Sequence, residues 1–232
     1  MIDGIETWTE VLTGLVTGKG PNCIWNYSPL TSFIGGLGGY IYLMKNPVDG
    51  VTVLDAGSAT TQNLTDISGW DATKAAAVGV ADSFVYTTDG YTWEAGTGPV
   101  GPTDLTAVAY RQEQEIWVGG TASGSVYVTT DFGDHWTTKA LPGTLTQIDS
   151  IVWASESVGF IAGRTVAPAA KILRTINGGY TWYVVPESAS QALPVADNIN
   201  DMAVCQKEVN KLFAGGLGGN AIDGIIIKGS DS

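Results

Sequence analysis

The chain is poor in charge and poorest in positive charge. Charged residues make up 15% of its 232 positions, with 11 Lys and Arg against 23 Asp and Glu, a net charge of −12. A surface with that balance repels phosphate backbones and anionic headgroups, so nucleic acid is excluded as a partner. Cysteine and histidine are scarce too: Cys23, Cys205 and His135 are all there is. Two distant cysteines make no disulfide framework, and both are expected as free, partly buried thiols. One histidine without paired cysteines gives no zinc set, and no metal or other cofactor is expected. No run reaches the roughly 18 apolar residues of a membrane span, so no membrane insertion is expected. The first residues, Met1-Ile-Asp-Gly-Ile-Glu-Thr-Trp8, lack a basic stretch followed by an apolar core. No signal peptide is visible there.

What the chain does have is glycine (31 residues), tryptophan (8) and a 44% hydrophobic content spread along its length. That composition predicts many short strands joined by tight turns. One turn pattern recurs. Thr175-Ile-Asn177-Gly-Gly179-Tyr-Thr181-Trp182 is the cleanest copy, and Thr129-Thr-Asp131-Phe-Gly133-Asp-His-Trp136 is the second. Thr87-Thr-Asp89-Gly90-Tyr-Thr92-Trp93 is one residue shorter. Asp3-Gly4-Ile-Glu-Thr7-Trp8 sits at the start of the chain, and Asp49-Gly50-Val-Thr52-Val53 is a degenerate copy with Val in place of Trp.

An apolar stretch precedes each turn: 40–46, 83–88, 125–130 and 171–176, with a last one at 224–230 that no turn follows. Upstream of each lies a short run ending in Gly, such as Trp117-Val-Gly-Gly120. Before that comes a run such as Leu64-Thr-Asp-Ile67, Leu105-Thr-Ala-Val108 or Leu145-Thr-Gln-Ile148. Each unit therefore reads as three strands, an Asp turn and a fourth strand. The anchors Trp8, Val53, Trp93, Trp136 and Trp182 are separated by 45, 40, 43 and 46 residues. A four-stranded unit of about that length is one propeller blade. The expected fold is all-β: a single five-bladed β-propeller of four-stranded blades. The blades fall at about 22–56, 64–96, 105–140, 146–186 and 200–230. The N-terminal strand, 5–12, closes the last blade and removes its exposed edge.

The turns, Thr175 to Trp182 after Lys171-Ile-Leu-Arg above all, resemble the Asp-box (BNR) repeat of sialidases, sortilin-type receptors and Ycf48-like photosystem II assembly factors. The resemblance covers nearly the whole chain. It implies a propeller, and it says little of function.

Asp3, Asp49, Asp89, Asp131 and Asn177 are read as structural, since such side chains accept hydrogen bonds from nearby backbone N–H groups in tight turns. Gly133 and Gly179 permit positive φ, and Trp8, Trp93, Trp136 and Trp182 pack over the turns. Calcium binding by Asp89 and Asp131 would need further convergent carboxylates. The glycine-rich segments 35–39 and 215–219 precede no helix, so a phosphate cradle is excluded.

A second set points to binding. Trp25, Trp70, Tyr110 and Trp153 fall near the end of the first strand in four blades, with Cys205 in the corresponding place in the fifth. First strands line the channel of a propeller, so these aromatics either ring one face as a ligand platform or pack between blades.

No catalysis is expected. Sialidase chemistry, by the resemblance, needs three arginines clamping a carboxylate. The chain has three, Arg111, Arg164 and Arg174, outside the family's Phe-Arg-Ile-Pro-like context. Glu113, Glu115, Glu156 and Glu208 fall in turns between first and second strands, and His135 falls inside an Asp turn, which supports neither a glycosidase pair nor a Ser-His-Asp set. The expected function is a structural or interaction propeller with other protein subunits as partners. The leading expectation is a virion component (tail, fibre-associated or capsid-decorating) that also recognises a host receptor. A lectin-like module binding a surface glycan is the second reading, and a Ycf48-like assembly factor the third. Localisation follows: virion or extracellular, and cytoplasmic if the protein is not viral.

Overall fold

The computed structural model describes residues 16–45, 52–55, 59–166, 170–185, 198–204, 212–217 and 224–229. Their strands form five antiparallel sheets. Sheet 1 holds β1 (Pro21–Ser28), β2 (Thr31–Gly36), β3 (Ile41–Lys45) and β4 (Thr52–Asp55). Sheet 2 holds β5 (Leu64–Gly69), β6 (Ala75–Gly79), β7 (Phe84–Thr87) and β8 (Glu94–Gly96). Sheet 3 holds β9 (Leu105–Gln112), β10 (Glu115–Gly120), β11 (Ser125–Thr129) and β12 (Thr137–Ala140). In sheet 4 are β13 (Leu145–Trp153), β14 (Gly159–Thr165), β15 (Ala170–Thr175) and β16 (Tyr183–Val184). Sheet 5 has three strands among the described residues: β17 (Asn198–Val204), β18 (Leu212–Leu217) and β19 (Gly224–Gly229).

Neighbouring strands in sequence pair within each sheet, so every sheet is a meander. The sheets then pack face on face. Ala75 to Gly79 of β6 are all buried, as are Ile116 to Gly120 of β10. A half-solvated strand would alternate apolar and polar residues; these do not, because both faces of the sheet are covered. One apolar core lies between each consecutive pair of sheets. Phe33, Leu43, Leu64 and Ala77 join sheets 1 and 2. Phe84, Val108 and Ile116 join sheets 2 and 3. Trp117, Ile148 and Leu173 join sheets 3 and 4, and Phe160, Ile172, Met202 and Leu212 join sheets 4 and 5.

The Leu-Thr pair that opens three first strands has a double use. Leu64 and Leu105 are fully buried, and Leu145 nearly so. The threonines clasp one sheet to the next: Thr65 Oγ1 donates to Leu105 O in sheet 3 (2.7 Å), with Val78 O of its own sheet as the alternative acceptor (3.1 Å). Thr106 Oγ1 likewise donates to Ile148 O in sheet 4. Neighbouring sheets share no backbone ladder, so these bonds supply polar contacts between first strands that a ladder would otherwise give.

Antiparallel order fixes which turns share an end. The turns between first and second strands, and those between third and fourth, lie at one end of the sheets. The links from one sheet to the next lie at the other. Val53 pairs with Met44 in β4, as the degenerate repeat copy requires. Asp3, Trp8, Asp49, Cys205 and Glu208, and the expected closing strand 5–12, lie outside the described residues. Cys23 is a free, half-buried thiol, and burial pushes it up to about 12.

Candidate functional site

Three of the repeated turns share one hydrogen-bond plan. A buried threonine hydroxyl ends the third strand, donates to the Asp or Asn side chain and accepts the N–H of the turn glycine. The donor distances are 3.1 Å for Thr87 to Asp89, 2.8 Å for Thr129 to Asp131 and 3.0 Å for Thr175 to Asn177. Gly90, Gly133 and Gly179 donate to those hydroxyls at 2.9, 2.9 and 3.0 Å. The acceptor side chain then takes the N–H groups that follow: Thr92 on Asp89, His135 on Asp131 and Thr181 on Asn177. The short copy closes the same plan with one residue fewer. Gly133 and Gly179 stand at φ of 97° and 81°, where a side chain is strained.

Each turn tryptophan covers the core toward the preceding sheet. Trp93 meets Phe33 edge-on at 5.8 Å, Trp136 meets Phe84 at 5.3 Å, and Trp182 meets Trp117 at 6.0 Å. Backbone N–H bonds hold Asp89 and Asp131 down to about 2. Their contribution to stability is whole above the ordinary carboxylate range and is lost as pH falls from there through about 2.

Trp25, Trp70, Tyr110 and Trp153 come together. All four line one cavity of about 470 Å³ at the end of the sheets that carries the first-to-second-strand turns. Tyr27, Arg111 and Glu156 complete its working wall. The two readings of these aromatics divide by residue. Trp25 stacks on Phe33, and a side chain at Gly69 would strike its ring. Trp153 meets Trp117 at 5.1 Å and Trp182 at 5.8 Å, edge-on to both. Tyr110 is 8% exposed, and its hydroxyl has no partner among the described residues. These three are at once core and cavity wall. Trp70, one residue past β5, is 42% exposed, and Tyr27 is 49% exposed. Sequence reasoning passed over Tyr27, which sits two residues past Trp25 on β1 and therefore on the same face of the strand.

The arginines do not converge. Arg111, near the cavity, forms a two-bond pair with Glu115 at 2.5 Å and donates to Glu156 O at 2.9 Å. Arg164, at the other end of sheet 4, pairs with Asp149 at 2.6 Å. Arg174 lies over the Phe160 ring. A three-arginine carboxylate clamp is therefore not assembled from them. His135 is exposed, and its Nδ1 stands 2.7 Å from Asp131 Oδ2, which raises its affinity for a proton.

Asp66 is the one acid on a first strand whose protonation is shifted far upward among the described residues. Its two oxygens accept the N–H groups of Ile67 and Val108, both at 2.8 Å, so it joins sheet 2 to sheet 3. Burial outweighs those bonds and pushes the carboxyl up to about 7, with Asp201 adding to the effect. The folded value exceeds the unfolded one, so this group's contribution is whole below about pH 4 and is lost as pH climbs toward 7. Asp66→Asn is expected to flatten the stability profile between pH 4 and 8, removing a slope worth on the order of 2 kcal/mol, less than the full shift because the side chain keeps some solvent contact. Urea midpoints at pH 5 and pH 8 for both chains measure it; an unchanged slope would show that Asp66 ionises freely.

No known sequence family matches the chain, and no curated protein does. Solved structures do resemble it. YCF48 bound to a D1 peptide superposes with a TM-score of 0.74 at 15% identity, over 99% of this chain and 71% of that one. YCF48 from Cyanidioschyzon merolae gives 0.64 at 14% identity, over 96% and 75%. The GH74 enzyme of Niastella koreensis gives 0.69 at 15% identity, over 91% of this chain and 36% of that one. The chain is thus an all-β propeller with a Ycf48-like arrangement of sheets, a fold shared with enzymes and non-enzymes alike.

Proposed function

We propose that this chain is a non-catalytic propeller that binds a segment of a partner protein in the aromatic cavity. The carrying observation is that four aromatics from four separate sheets meet in one cavity, with Trp70 and Tyr27 left open to solvent. Exposed aromatic faces at a rigid rim are what interaction surfaces use as anchors. The fold of YCF48, a propeller described with a bound peptide, supports this reading over the virion component, for which no feature of the structure speaks. The acidic balance, 11 Lys and Arg against 23 Asp and Glu, bears on the chemistry of that partner. We take the turns as Asp-box repeats and the ring as five-bladed. Among the described residues sheet 5 has three strands and the others four, and we assign the fourth place to the N-terminal strand.

The second reading, carbohydrate binding, rests on the same aromatic faces. Hydrolysis has less behind it: glycosidases set two carboxylates across the scissile bond, and Glu156 is the one carboxylate lining this cavity among the described residues. Affinity electrophoresis through gels containing dissolved polysaccharides separates the readings. The proposal expects unchanged mobility and no release of reducing sugar. Retardation that Trp70→Ala abolishes would make the protein a lectin, and sugar release would make it a hydrolase.

A further inference from the structure

The cavity is built of aromatic faces set in an acidic surround. Trp25, Tyr27, Trp70 and Trp153 present π-systems to it. One face already carries a cation: the Arg111 guanidinium lies 5.6 Å from the Trp153 ring centroid. That cation is committed. Its Nε and Nη2 donate to Glu115 and its Nη1 to the Glu156 carbonyl, so every nitrogen is engaged within the chain. Lys74, at the same end of sheet 2, is paired with Glu113. Glu156 is in the wall, Glu115 pairs with Arg111 beside it, and Asp71 acts electrostatically on Tyr110 of the lining, on a chain whose net charge is −12.

Three ligand chemistries respond differently to this surround. An anionic segment meets repulsion and, among the described residues of the lining, no uncommitted cation. A neutral sugar gains from stacking and nothing from the acids. A cationic side chain gains from both, since ring faces attract it through their quadrupole and the carboxylates through their charge.

We propose that the cavity takes an arginine or lysine side chain from an extended segment of a partner protein, laid on the Trp70 and Tyr27 faces with Glu156 as its counter-charge. This rests on the reading of the cavity as the protein-binding site, and it adds the chemistry of the partner. It places the specificity in Trp70 and Glu156, both solvent-facing residues whose replacement leaves the inter-sheet cores intact.

The test is a titration of the full chain with four capped nonapeptides, glycine-serine throughout except for arginine, lysine, glutamate or leucine at the centre, followed by tryptophan fluorescence at 20 and 200 mM NaCl. The arginine and lysine peptides are expected to bind about tenfold more tightly than the other two at low salt. Trp70→Ala should lose about that factor, Trp70→Phe should keep most of it, and Glu156→Gln should flatten the salt dependence. Urea midpoints of the three variants equal to wild type show that they fold. If the glutamate or leucine peptide binds as well as arginine and Trp70→Ala weakens both, the cationic preference is overturned and the peptide site stands. If no peptide binds, or Trp70→Ala changes nothing, both the preference and the site are overturned.

Discussion

Trp117→Ala is expected to destabilise the protein by about 4 kcal/mol, the upper range for an aromatic deleted from a packed core. Trp117 is 2% exposed and lies on β10 in the middle of sheet 3. Its ring meets Trp153 and Trp182 edge-on, so a truncation removes the contact that holds a cavity wall and the contact that covers a turn. Its Nε1 also donates to Glu115 Oε1 at 2.6 Å, the same carboxylate that fixes Arg111. Loss of the ring therefore frees Arg111, Trp153 and the turn at Trp182 together. Equilibrium urea unfolding measures the cost. A loss below about 1 kcal/mol would mean that the sheets close over the gap, and that the three-tryptophan cluster does not join sheets 3 and 4.

Thr175→Val should cost about 2 kcal/mol with almost no change in volume. The Thr175 hydroxyl is fully buried and makes three contacts of the turn, with Gly179 N, Asn177 N and Asn177 Oδ1. Valine leaves the Gly179 N–H buried without an acceptor, which carries the desolvation cost of an unpaired donor. Thr175→Ser keeps the hydroxyl and should cost less than half as much. A loss for Val no larger than that for Ser would mean that the hydroxyl contributes no more than the methyl group, and would contradict the hydrogen-bond account of the turns.

The turns were readable from the sequence because their chemistry is local. Thr, Asp or Asn, Gly and Trp occur within eight residues, and the hydrogen-bond partners of the first three lie in the same turn. Even the shortened copy at Thr87 to Trp93 keeps the plan, since its glycine N–H reaches the hydroxyl from three residues away in place of four. The four cavity aromatics were readable for a different reason: they recur at one position of the repeat, and a repeat placed around an axis brings equal positions together. What the sequence concealed depends on contacts between sheets. Trp117 looked like any core residue of a second strand, and nothing in its neighbourhood marks Trp153 and Trp182 as its partners. Glu115 read as a hairpin-turn residue, yet it forms a closed pair with Arg111 against the cavity wall. Asp66 sits in a Leu-Thr-Asp-Ile run like several others, and its raised proton affinity comes from burial between sheets and from Asp201, 135 positions away. The virion reading came from composition and context and met no supporting residue; the cavity favours a protein-binding propeller.

That claim is tested most directly by where a bound partner touches the surface. A photo-crosslinking amino acid is placed at Trp70, at the cavity rim, and separately at Val100, which is 96% exposed in a link between sheets at the opposite end. Each chain is irradiated in extract of the source cells, with and without an excess of the arginine-centred peptide. The account predicts a discrete crosslinked protein from position 70, suppressed by the peptide, and none of that species from position 100. The same species at equal yield from both positions, or from position 100 alone, would contradict it.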